Sequence, residues 1–83
     1  MELTDYRNEI DRIDQELIRL FTRRMEISAE IGRFKQENGL PVHDPRREEE
    51  KLETLTGQAP KEMEGSVRAL YERIFELSRS VQQ

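Results

Sequence analysis

Arg24 and Lys35 lie eleven residues apart in the stretch LFTRRMEISAEIGRFK, close to three turns of an α-helix. Both side chains would project from one helical face, about 16 Å apart along the axis. Two long cations leaning together over small Ser28 and Gly32 would frame a gap the size of a small metabolite. A compact dianion suits such a pair, because a guanidinium fork matches a carboxylate and an ammonium supplies a point charge. Arg24 is the odder of the two. Leu3, Tyr6, Ile10, Ile13, Leu17, Leu20, Arg24, Ile27, Ile31 and Phe34 keep an unbroken 3-4 spacing, and nine of these ten are apolar or aromatic. As a lone charge in that seam, Arg24 has three readings: a register device, the cation of a buried ion pair with Asp14, Glu30 or Glu48, or a ligand-binding group. Lys35 belongs to the flanking row Arg7, Asp14, Phe21, Ser28, where a solvated lysine is the ordinary alternative.

A second polar interruption occurs near the C-terminus. Tyr71 and Phe75 begin a row that continues as Ser78 and Gln82, bordered by Leu77 and Val81. A neutral amide at such a place can donate a hydrogen bond without titrating; a frayed, wet helix end is the other reading of Gln82. Between the two apolar stretches, HDPRRE places Asp44, Arg47 and Glu48 within one helical turn, where free N–H groups and the dipole favour an anion. Arg46 reads as a solvated charge, and the following EEE run reads as a solvated face and not a metal site. His43 is the only histidine, so no histidine pair exists for a metal or a catalytic dyad. The sequence contains no glycine-rich phosphate loop and no nucleophile beside a base.

Three helices must position these groups. The first stripe predicts a helix over about 4–37, capped by Thr4 or Asp5 and stopped at Asn38-Gly39, with Pro41 shortly beyond. LPVH reads as an extended linker. Asp44-Pro45 is an acidic cap followed by proline at the first helical position, opening a helix over about 45–56 with Leu52 and Leu55 as its only clear apolar anchors. Pro60 opens a third helix over about 60–82 with the stripe Met63, Val67, Leu70, Ile74, Leu77, Val81. No β-pattern or repeat is present, so the fold class is all-α: one long, one short and one medium helix in a single domain, residues 1–83.

Charged residues make up 39% of the chain against 34% hydrophobic, too polar for a large private core and suited to long amphipathic helices. The net charge of −4 argues against a nucleic-acid partner, so an anion must be drawn to a local cationic pocket. No long apolar run predicts a membrane span, no secretory h-region is visible, and the absence of cysteine fits a cytoplasmic protein. A first helix of about 50 Å would protrude from a compact chain roughly 30 Å across. Helices two and three together approach that length, and so could cover the first helix of another copy. An intertwined homodimer is the expectation.

Arg7 in YRNEIDRID, Arg24 in TRRMEIS, Lys35 in EIGRFK, Asp44 with Arg47-Glu48 in VHDPRREEE, and Ser78 with Gln82 in ELSRSVQ resemble, in order, spacing and helix placement, the all-helical chorismate mutase family. The likeness runs from Leu3 to Gln82. It implies an intertwined three-helix dimer with two active sites, converting chorismate to prephenate by a [3,3] rearrangement on the route to phenylalanine and tyrosine. That reaction is unimolecular and transfers no proton, so the resemblance implies no metal and no cofactor. Carried over by position, Arg24 pairs with one substrate carboxylate, and Arg7 of the other protomer holds the second. Lys35 reaches the ether oxygen and a carboxylate, and Gln82 donates to that same oxygen. Arg47 adds positive potential, Glu48 with Asp44 nearby accepts from the substrate hydroxyl, and Ser78 supports a carboxylate. The catalytic set is thus Arg24, Lys35 and Gln82.

Two rivals share the pattern. An isochorismate-pyruvate lyase has the same fold and cationic core, but such lyases tend to lack the acidic pair that Asp44 and Glu48 supply here. A non-catalytic dimerisation or regulatory module would have no need for Arg24, Lys35 and Gln82 together. The family's third helix usually continues past the position of Gln82, which suggests a domain of a longer polypeptide, fused to prephenate dehydratase or another shikimate-route enzyme.

Overall fold

A computed structural model describes all 83 residues as three α-helices and one short 3-10 turn, without strands. Helix α1 spans Leu3–Glu37, α2 spans Pro45–Gln58, and α3 spans Glu64–Gln82 after the 3-10 turn Lys61–Met63. The cap of α1 is Glu2, not Thr4 or Asp5: Asp5 sits at the third helical position and accepts the Glu2 backbone N–H at 2.9 Å. At the other end Gly39 takes φ 66°, and the Gly39 and Leu40 N–H groups return to the Gln36 and Lys35 carbonyls. This double bond pattern ends the helix in a left-handed residue that only glycine adopts cheaply.

Asp44 caps α2, its Oδ1 accepting the Arg47 N–H at 3.1 Å, with Pro45 at the first position. The helix passes through Gly57 and ends at Gln58 instead. Pro60 is the reason: it forces Ala59 into extended backbone (φ −87°, ψ 153°), so the last residue that can stay helical is Gln58. Pro60 then leads into the 3-10 turn, and regular α-geometry resumes at Glu64. Arg68 on α3 ties back to α2, its Nη2 lying 3.1 Å from both Glu49 oxygens. The hydrogen bond, then the charge, of Glu49 holds that guanidinium above its usual pKa.

Within the chain α3 packs against both α1 and α2, and little is buried. Leu52 and Phe75 are the only buried hydrophobic side chains; Ser28, Gly32 and Ser78 complete the buried set. The face of α3 turned to its own chain is the row Tyr71, Phe75, Ser78, Gln82, whereas Met63, Leu70 and Val81 of the longer stripe stay exposed. On α1 the seam is open: Ile10, Ile13, Leu17 and Leu20 are all more than half exposed. The molecule measures 55 × 26 × 15 Å with a radius of gyration of 15.9 Å. A compact chain of this length would have a radius near 12 Å. No helix is long and apolar enough to cross a membrane.

Candidate active site

The C-terminal third of α1, the first turns of α2 and the last two turns of α3 wall a hollow of about 280 Å³. Arg24, Ser28, Ile31 and Lys35 come from α1; Val42 and Asp44 from the linker; Arg47, Glu48 and Lys51 from α2; Phe75, Ser78, Arg79 and Gln82 from α3. Every sequence-selected residue except Arg7 is therefore brought together.

Arg24 is held without a counter-ion. Its Nη1 donates to Ser78 Oγ at 2.7 Å, and its guanidinium carbon lies 5.6 Å from the centroid of the Phe75 ring. No carboxylate is within ion-pair distance, so the Asp14, Glu30 and Glu48 pairings do not form. Ser78 Oγ also accepts from Ser28 Oγ at 3.2 Å and lies 3.9 Å from Met25 Sδ. This buried hydroxyl is a fixed post between α1 and α3 that aims the guanidinium. Lys35 is not a free surface lysine: its Nζ donates to the Val42 carbonyl at 2.9 Å, leaving two N–H donors. The linker thus bends the ammonium over the hollow.

Gly32 explains how α3 comes so close. A Cβ built there would lie 2.6 Å from Gln82 Cα and 2.7 Å from the Gln82 carbonyl oxygen. The small residue therefore admits the backbone of α3, where the sequence pattern leaves a gap beneath the two cations. Gln82 is half-buried at this crossing and not frayed. Its Oε1 is shielded from solvent and receives no hydrogen bond. Glu48 is bound by Arg79, whose Nη1 is 2.5 Å from Oε1 and 2.7 Å from Oε2.

Lys51, Phe75, Arg79 and the Val42 carbonyl are the parts that sequence reasoning did not assign to the site. Lys51 follows Glu48 by three residues and Arg79 follows Phe75 by four, so each shares a helix face with a site residue, but that spacing does not single either out among its polar neighbours. The Val42 carbonyl leaves no trace in side-chain types. Arg7 lies seventeen residues before Arg24 on the same straight helix, about 25 Å away along the axis, and contributes nothing to its own chain's hollow.

Five cations and two carboxylates line a polar hollow, with a seam arginine held only by neutral groups, so the three-helix domain carries a net cationic cavity. The chain belongs to the family described as Chorismate mutase type II, whose match spans residues 6–83. It is 42% identical over 59 residues to the T-protein of Haemophilus influenzae, covering 71% of this chain and 16% of that protein. It is 42% identical over 66 residues to the bifunctional chorismate mutase/prephenate dehydratase of Aquifex aeolicus, covering 80% of this chain and 18% of that one. The chain thus spans about a sixth of the length of these two relatives. The chorismate mutase (form II) structure from Thermus thermophilus superposes with a TM-score of 0.92 at 38% identity, covering 96% of this chain and 92% of that one.

Proposed function

We propose that this domain is a cytoplasmic chorismate mutase that converts chorismate to prephenate by preorganisation and electrostatics alone. The observation that carries the reading is the unpaired Arg24, fixed by Ser78 and Phe75 at the wall of a hollow shared with Lys35, Arg47, Glu48 and Gln82. A half-buried guanidinium with no carboxylate partner is costly; a substrate carboxylate offsets that cost only on binding.

The rearrangement breaks an ether C–O bond while a C–C bond forms, within one molecule and with no proton moved. Catalysis then needs the diacid held in its compact diaxial shape and donors aimed where charge develops. Arg24 takes one carboxylate. Lys35, with two free N–H bonds, and the Gln82 amide converge on the ether oxygen, which gains negative charge as the bond breaks. Arg47 raises the local potential at the second carboxylate, Ser78 supports the first through its grip on Arg24, and Glu48 beside Asp44 accepts from the ring hydroxyl.

Arg7 completes the site from a second copy. The open seam of α1 supports a homodimer in which the N-terminal half of one α1 lies along the partner and delivers Arg7 to the partner's hollow. The names of the relatives support a fused or associated shikimate-route enzyme as a further partner.

The purified chain, given chorismate and isochorismate separately, tests the reading. Loss of chorismate with appearance of prephenate is expected. Turnover of isochorismate alone would make it a lyase, and inertness toward both would leave a non-catalytic module.

A further inference from the structure

Glu48 is the one carboxylate of the hollow that another side chain grips. Arg79 reaches from α3 to α2, and a single nitrogen, Nη1, straddles both Glu48 oxygens at 2.5 and 2.7 Å. Both side chains are mostly buried, at 26% and 24% exposure. His43 Nε2 stands 3.8 Å from Oε1, beyond hydrogen-bond reach. Neither Lys51, one turn further along α2, nor the seam cation Arg24 pairs with Glu48, although both border the same hollow.

We propose that Arg79 is a positioning residue that acts through Glu48, keeping its carboxylate turned to the substrate's ring hydroxyl and away from Arg24 and Lys51. The assignment rests on the mutase reading of the site. A guanidinium nitrogen straddling two carboxylate oxygens anchors the direction in which the group points, and about two of its four lone-pair sites remain open. One of those is enough to accept an O–H. Released from Arg79, a partly buried carboxylate in a cationic hollow would turn to the nearest free cation. Turned away in this manner, it would leave the ring hydroxyl without its acceptor. Two turns of α3 therefore set three groups at once: Phe75 and Ser78 hold Arg24, Arg79 holds Glu48, and Gln82 enters in person.

The test is steady-state kinetics on the full chain with Arg79→Met, Arg79→Lys, Glu48→Gln and the double variant Arg79→Met/Glu48→Gln. A hydroxyl contact made equally in ground and transition states acts mainly on KM, so Arg79→Met should raise KM about tenfold with kcat within about threefold. Arg79→Lys, which keeps a cation between the helices, should fall between parent and Arg79→Met. The double variant should be no worse than Glu48→Gln within about twofold, because the two residues act as one unit. An analogue lacking the ring hydroxyl should be turned over alike by parent and Arg79→Met, which a merely structural role would not produce. Multiplicative losses in the double variant, equal losses on the analogue, or an unchanged KM for both Arg79 variants would overturn the assignment. A parent chain inert toward chorismate removes the mutase reading and this role with it; an active parent with indifferent Arg79 variants removes only the latter.

Discussion

Arg24 concentrates the physics of this site. Its position in the seam marks it as unusual, and the geometry shows neutral holders, Ser78 and Phe75, where an ion pair would need an acid. Replacing it by leucine separates the two consequences. Arg24→Leu restores hydrocarbon to the stripe, so thermal melting without ligand should hold steady or rise. If Arg24 binds a carboxylate of the reacting diacid as proposed, the same change removes that charge-assisted contact, and kcat/KM should fall by at least about a hundredfold. A clear drop in melting temperature would instead mean that Arg24 is a structural tie. The sequence exposed Arg24 because one charge among nine apolar positions is a violation of periodicity. It did not expose Lys51 or Arg79, because a lysine and an arginine amid charged neighbours violate nothing; only the crossing of α2 and α3 turns them inward.

Helix existence and order followed from spacing and caps, since the stripes of α1 and α3, Pro45 and Gly39 each act locally. Which face of α3 meets α1 did not follow. Hydrophobicity favours the stripe Met63, Val67, Leu70, Ile74, Leu77, Val81, of which only Val67, Ile74 and Leu77 are half-buried. Yet the row Tyr71, Phe75, Ser78, Gln82 is the one turned most inward, because Ser28 on α1 donates to the Ser78 hydroxyl and Gly32 admits the bare backbone of α3. Glycine substitutions test this crossing. Gly32→Ala would set a methyl group against the Gln82 backbone at 2.6 Å, and no rotamer change relieves that. It should cost about 1–3 kcal/mol of stability by overpacking, and the displaced Gln82 should lower kcat as well. Gly57→Ala meets nothing within 4 Å inside α2, so it should stabilise by about 0.5–1 kcal/mol with unchanged kinetics. Paired melting curves and turnover rates check both; a harmless Gly32→Ala would mean that α3 does not depend on this close approach.

A chain 55 Å long with only Leu52 and Phe75 as buried hydrophobics cannot owe its stability to its own interior. The open seam of α1 and the outer stripe of α3 are the surfaces a second copy would bury, and an isologous pair would use each twice. Folding and association are then one event, so the melting temperature should rise with protein concentration. The same geometry gives a sharper test of which copy supplies Arg7. Arg7→Ala and Lys35→Ala chains should each be nearly inactive alone, since every site lacks a cation. Mixed one to one through unfolding and refolding, half of the pairs are mixed by chance, and each mixed pair holds one site with both residues intact. About a quarter of parental kcat per total chain should return if Arg7 crosses to the partner's site. If Arg7 served its own chain's hollow, every site in the mixture would still lack one residue, and the activity would stay at the level of the separate variants.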